Sequence, residues 1–226
     1  MTRRPLLGCL FEIVETLVLT LIIFLVIQNF VALPYRVEQG SMEHTLEPDQ
    51  YVLVDKLTPR VDPYKRGDIV VFGPPAGFSR DGGTPFIKRV IGVGGDTVEV
   101  RNGEVSVNGT ALVEPYLFAD APGDPPQPTV ATQERWTVPA GDVFLMGDHR
   151  AVSEDSRAFG PVPVSSIIGR AWLRYWPINV FGVLATPRFP GITSPPSPSP
   201  SPATPTSDGA PAGDYSSMRS SQGPSS

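Results

Sequence analysis

One cysteine, Cys9, and two histidines, His44 and His149, are all that 226 residues supply of those types. A single thiol closes no intramolecular disulfide, and with two imidazoles it cannot complete a Cys/His zinc site. A disulfide scaffold and a structural zinc are thereby excluded. Excess positive charge is missing too: the formal net charge is −5 and no Arg-rich block stands out. Without a basic field there is no reason to expect nucleic acid as a partner. Scarce histidine also limits base catalysis, because a Ser/His/Asp reading has to use His149 or His44, which lies three residues after Ser41.

Proline is the opposite case, with 27 residues, many of them near the end. Past Pro190 the chain is rich in Pro and Ser, and only Ile192, Tyr215 and Met218 are sizeable apolar groups, too few to offset the ordering entropy. Residues 189–226 are therefore expected to form a disordered tail: a spacer, a glycosylated stalk or an extension dispensable for catalysis.

At the other end, Thr16 to Tyr35 holds 20 residues without a charge. As a helix rising about 1.5 Å per residue it spans about 30 Å, the thickness of a bilayer core. A cleaved signal peptide has a shorter apolar region before a small-x-small site. This run is long and ends at Val31-Ala32-Leu33-Pro34, which favours an uncleaved anchor. Arg3 and Arg4 precede it and Arg36 alone follows before Lys56, so the amino terminus is expected in the cytoplasm and the rest outside. Residues 1–35 are assigned to a short cytoplasmic segment and a single transmembrane helix in the cell membrane.

Between these ends, residues 36–188 carry short β-branched runs bounded by turn residues: Tyr51–Val54, Asp68–Phe72, Phe86–Ile91, Thr97–Val100 and Val143–Met146. Val98 to Gly109 alternates apolar and polar on both sides of Asn102-Gly103, the pair suited to the positive φ values of a type I′ turn, which predicts a β-hairpin. No long amphipathic helical pattern occurs here. The fold class expected is mainly β, an antiparallel sheet or barrel-like catalytic domain after one transmembrane helix, with Phe118 to Thr132 as an inserted loop.

A lysine can replace histidine as a base when an apolar site lowers its pKa until the neutral amine takes a proton from a serine. Strand alternation puts Lys88 on one face with Phe86 and Val90, and Arg89 on the other with Ile87 and Ile91. The pattern alone leaves two readings open for Lys88, an edge or snorkelling lysine and a desolvated base.

Four blocks in order resemble the bacterial type I signal peptidase family, membrane-bound serine proteases with a Ser/Lys dyad. They are GSMEHTL at Gly40–Leu46, GDIVVF at Gly67–Phe72, KRVIGVGGDTVEVRNGEVSVNG at Lys88–Gly109, and GDHRAVSEDSRAFGPVP at Gly147–Pro163. The resemblance implies Ser41 as nucleophile, Lys88 as general base, Ser153 as the hydroxyl orienting the lysine, and Asp155 with Arg157 as the pair that stiffens the site. Read from the residues themselves, Asp148, Arg150, Asp155 and Arg157 in one Gly-bounded loop can form charge-assisted bonds that fix a turn. Met42, Leu46, Phe86 and Ile87 are expected as walls of the substrate pocket.

The chain departs from the family pattern at three places. His44 stands where proline is common, which predicts a less rigid turn after the nucleophile. Gln39 stands where many members carry an oxyanion-hole serine, so its amide is a possible substitute donor beside the Ser41 N–H. His149 replaces the asparagine of Gly-Asp-Asn-Arg, read as a structural exchange. The implied activity is removal of signal peptides from exported precursors after a small-x-small (Ala-x-Ala) site through an acyl-enzyme, with no metal or cofactor. Implied partners are those signal peptides, delivered by the secretion translocon, and the lipid bilayer. The competing readings are a processing protease with a narrower client and a tethered β-domain that binds peptides without cutting them.

Overall fold

A computed structural model describes residues 4–26, 32–78 and 83–193. Residues 27–31, inside the expected anchor, and 194–226, most of the expected tail, lie outside the described residues.

Helix α1 (Arg4–Val26) is followed by β1 (Ala32–Arg36), β2 (Tyr51–Asp55), β3 (Ile69–Phe72) and β4 (Phe86–Val93). Next come β5 (Thr97–Arg101), β6 (Glu104–Val107), β7 (Thr110–Ala111), β8 (Arg135–Thr137) and β9 (Asp142–Met146). A single helical turn α2 (Ser156–Phe159) precedes β10 (Val162–Pro163), β11 (Ile167–Trp176) and β12 (Gly182–Val183). The domain is mainly β and antiparallel. Its larger sheet runs β1-β2-β11-β3-β4-β9-β10 with β12 beside β11, and a second sheet runs β7-β6-β5-β8. With β1 and β10 at the ends of the larger sheet and the second sheet beside it, the expected barrel-like antiparallel domain takes the form of a half-barrel among the described residues.

Asn102 and Gly103 take φ values of +52° and +86° and join β5 to β6 in the predicted hairpin. The same chemistry recurs at Asn108-Gly109, which turns β6 into β7. The 112–134 stretch is irregular, as its Pro/Ala/Asp content predicts.

Strand β4 positions the site. All of its residues except Val93 are buried, because both of its faces are covered. Phe86 and Val90 pack with Phe72 and Leu145, Ile87 packs with Val54 and Val71, and Ile91 joins the core under the second sheet with Val98 and Phe144. At Gly92 a Cβ would come within 2.7 Å of Val98, so glycine lets the two sheets close on each other.

Two boundaries differ from the sequence reading. Ala32–Tyr35, assigned to the anchor, lie in β1, where the register Ala32↔Asp55 to Arg36↔Tyr51 makes them part of the sheet. A continuous apolar run does not distinguish a helix from a buried strand where the two abut. At the far end, residues 189–193 pack on the domain: Phe189 meets the Tyr116 ring at 6.5 Å, Ile192 lies on the second core, and the Thr193 carbonyl accepts from Asn108. Among the described residues no helix is long and apolar enough to cross a membrane.

Candidate active site

After β1 the chain makes a 3-10 turn over Gly40–Met42, closed by Glu43 N–H to the Gly40 carbonyl at 3.1 Å and Leu46 N–H to the Met42 carbonyl at 2.7 Å. Met42 and Leu46 are fully buried in the core with Val37 and Val52, which pins the turn from below and leaves Ser41 facing a cleft. At position 40 a Cβ would sit 2.6 Å from Glu43 Oε1, so a larger residue there would displace the Glu43 carboxylate. The Ser41 N–H lies at the start of this turn, where no carbonyl of the turn's own backbone is placed to accept from it.

Lys88 reaches the same point from the middle of β4, and its Nζ lies 2.6 Å from Ser41 Oγ. The side chain is 0% exposed, with the Phe86 ring centroid 5.1 Å from the nitrogen. Desolvation pushes its pKa down to about 8, against the opposing pull of Asp155, Glu154 and Asp148. A lysine near that value is partly neutral at mildly alkaline pH, and a neutral amine can accept the serine proton. Beside the pair is a cavity of about 310 Å³ lined by Gln39, Gly40, Ser41, Thr84, Phe86, Val152 and Glu154.

The loop after β9 supports both residues. Asp155 accepts Arg157 Nε and Nη2 at 2.8 Å each, and also accepts the Gly147 N–H at 3.1 Å. Burial alone would raise its pKa, but Arg157 and these bonds hold it below the usual carboxylate range. Asp148 forms a buried bidentate pair with Arg89, at 2.8 and 2.6 Å, and accepts Thr45 Oγ1 at 2.6 Å. Arg150 pairs with Glu114, donates to Thr129 at 2.8 Å, and donates to the Gly147 carbonyl at 3.0 Å. These groups do not touch the cleft; they fix Gly147, whose Cα lies against Ser153 and the Ser41 carbonyl so closely that any Cβ would collide with both.

The family model for signal peptidase, peptidase S26, matches residues 10–176. The chain belongs to this family. It is a serine endopeptidase. Signal peptidase I of Leptolyngbya laminosa is 38% identical over 181 residues, covering 79% of this chain and 85% of that protein. Signal peptidase IB of Staphylococcus aureus is 30% identical over 189 residues, covering 76% and 92%. A crystal structure of a signal peptidase I from Enterococcus faecalis V583 is 34% identical with a TM-score of 0.37, covering 48% of this chain and 97% of that one.

Within this signal peptidase domain, Ser41, Lys88, Gln39 and Phe86 come together at the cleft, with Asp148, Arg150, Asp155 and Arg157 packed behind it. Met42, Leu46 and Ile87 do not line this cavity in the structure: all three are buried in the core beneath the turn and β4. Ser153 Oγ is buried and meets no partner at hydrogen-bonding geometry, so no bond joins it to Lys88 here. It does lie close enough to Asp155 to help hold that carboxylate ionised. Gln39 makes no side-chain bond to the turn that follows it.

His44 ties the turn after the nucleophile in a way proline could not. Residue 44 has φ +78°, which proline cannot adopt, and its ring bonds to carbonyl oxygens at 116 and 117. Arg89, Glu114, Thr45 and Glu43 escaped the sequence reading. For Arg89 a signal existed, since an arginine inside an apolar strand demands a buried acid, but nothing local names Asp148 as its partner.

Proposed function

We propose that this chain removes signal peptides from exported precursors, with Ser41 as nucleophile and Lys88 as general base. Membership of the signal peptidase family supports the substrate class. The observation that carries the chemistry is the 2.6 Å approach of a fully buried lysine amine to a serine hydroxyl at the edge of a cleft. A module that only binds peptides has no use for a desolvated amine on a serine.

In the first half-reaction, neutral Lys88 Nζ takes the Ser41 proton as Oγ bonds to the scissile carbonyl carbon. The resulting oxyanion is met by the Ser41 N–H, with the Gln39 amide as the second donor. Collapse breaks the C–N bond, and the Lys88 ammonium returns its proton to the leaving amine. Water then adds to the acyl-enzyme, giving a proton to Lys88, and as the C–O bond to Ser41 breaks the Lys88 ammonium returns that proton to Oγ, which restores the neutral amine and the serine hydroxyl. Asp155, Arg157 and Ser153 hold the loop that backs this pair, and Asp148 and Arg150 hold it from the other side.

Phe86, Thr84 and Val152 leave shallow space beside Ser41, which suits small side chains at the first and third positions before the cut, as in Ala-x-Ala. Helix α1 carries exposed apolar side chains around its whole circumference, from Leu10 to Phe24, and the uncharged run continues past it through residues 27–31. On this reading α1 together with the uncharged residues 27–31 anchors the protein in the cell membrane, with residues 1–31 comprising the cytoplasmic segment and the anchor, the domain that begins at β1 outside where precursors emerge from the translocon, and the Pro/Ser-rich stretch as an appended tail.

The test is cleavage of a full-length Ala-x-Ala precursor in detergent or liposomes by the intact chain, Ser41→Ala and Lys88→Ala. Each substitution is expected to lower kcat by at least about 10⁴-fold. An Ser41→Ala chain that still cuts would overturn the assignment.

A further inference from the structure

Neither histidine enters the chemistry above, yet both grip the nucleophile turn. The backbone N–H of His149 donates to the Ser41 carbonyl oxygen at 3.0 Å. Its Nδ1 lies 2.6 Å from Glu43 Oε2, and its ring stacks on Phe118 with centroids 3.9 Å apart and planes 16° from parallel. On the other side of the turn, His44 Nδ1 lies 3.0 Å from the Leu117 carbonyl oxygen and 3.3 Å from that of Tyr116. Carbonyl and carboxylate oxygens accept, so each Nδ1 carries the proton. The Phe118 N–H completes the circuit by donating to the Asp148 carbonyl at 3.2 Å.

Residues 116–118 are thus held from two directions, by residue 44 just after the nucleophile turn and by residue 149 just beneath it. We propose that His44 and His149 are positioning residues that act as one clasp, locking segment 116–118 onto the nucleophile turn so that Ser41 stays aimed at Lys88. The proposal rests on the Ser41/Lys88 assignment above. Its leverage is geometric: the ring's bond to Glu43 and its stack on Phe118 fix residue 149, whose backbone N–H holds the Ser41 carbonyl, so losing the ring lets residue 149 and the serine shift together, and a shift of about 1 Å at a reacting atom can cost about a hundredfold in rate. Because the clasp needs both ends, opening either end has the same consequence.

The experiment compares the intact chain with His44→Gly, His149→Ala and the double variant. His44→Gly keeps the left-handed backbone free of strain and removes only the ring. Steady-state cleavage of the Ala-x-Ala precursor gives kcat and KM, and amide hydrogen exchange is followed over 40–46 and 116–118. Each single variant is expected to lose about tenfold in kcat with KM within about twofold, and the double variant to lose no more than the worse single. His149→Ala is expected to speed exchange in both segments. Should it not fold, His149→Asn keeps a donor for Glu43, drops the Phe118 stack, and carries the same comparison.

Intact kcat in His44→Gly, losses that multiply in the double variant, or faster exchange confined to the segment next to each substitution would overturn the clasp. Ser41→Ala is run alongside. If it cuts like the intact chain, the dyad assignment fails and the exchange result alone decides the clasp.

Discussion

Lys88 places stability and activity in opposition. Its pKa of about 8 in the folded chain lies below the ordinary 10.5, so the unfolded chain binds its proton more tightly. Folding is therefore penalised below pH 8, and stability rises with pH between about 8 and 10.5 as the penalty disappears. The shift corresponds to about 3 kcal/mol at neutral pH. Lys88→Met, which fills the same space without the amine, should raise the thermal midpoint at pH 7 while abolishing cleavage; a lowered midpoint would mean the amine is held by more than Ser41. Activity has the matching sign, climbing as pH rises through about 8 because the neutral amine is the working form. Glu154 lines the cleft and its charge raises the Lys88 pKa, so Glu154→Gln should move the rising limb of the kcat/KM profile to lower pH. A profile already flat by pH 6.5 in the intact chain would remove lysine as the base. Alternation placed Lys88 correctly beside Phe86 and Val90, but alternation does not report burial. What decides between a snorkelling and a desolvated lysine is the cover supplied by residues far away in sequence, Ser41 above all.

At the scale of elements, legibility follows the range of the interactions. The β5–β6 hairpin is local: Asn-Gly sets the turn and four alternating residues on each side set the register, so it is readable from twelve residues. Strand β11 is not. It carries Arg170 and Arg174, and its pairing with β2 shifts register between Ala171 and Leu173 and again between Arg174 and Trp176, so bulges erase the two-residue period. Its position between β2 and β3 is set by their edges, not by its own pattern. The loop after β9 is intermediate, for its charges announce a fixed turn while their partners Arg89 and Glu114 lie in other elements. Gly147 is where this loop meets the nucleophile turn. Gly147→Ala must push Ser153 or the Ser41 carbonyl away, and because both belong to the site, kcat should fall by at least about tenfold with KM little changed. An equal loss in KM alone would place the contact in substrate binding instead.

Over the whole molecule, both ends of the folded domain extend beyond the limits that composition suggests. Composition averages over a window, whereas a domain ends where its last side chain stops packing. Ala32–Tyr35 read as membrane-compatible because an edge strand with Tyr35 bonded to the Pro85 carbonyl at 2.6 Å is as apolar as the run before it. Phe189 and Ile192 read as tail because they are surrounded by proline, glycine and serine, yet each is sited on a ring or core already built by earlier residues. This gives the termini unequal weight. Deleting residues 194–226 should leave the unfolding midpoint and precursor cleavage unchanged, since their composition of Pro, Ser and Gly with only Tyr215 and Met218 as sizeable apolar groups supplies little to pack. Deleting 189–226 removes Ile192 from the second core and Phe189 from Tyr116, whose ring lies 4.0 Å from the Arg89 guanidinium that holds Asp148. Partial burial of two such side chains contributes about 2 kcal/mol, so this second deletion should lower the midpoint by several degrees. The loss should reach activity through Arg89 and the loop behind Ser41. Thermal unfolding and cleavage rates for the two deletions distinguish these outcomes, and equal behaviour of the two chains would put the domain boundary back at residue 188.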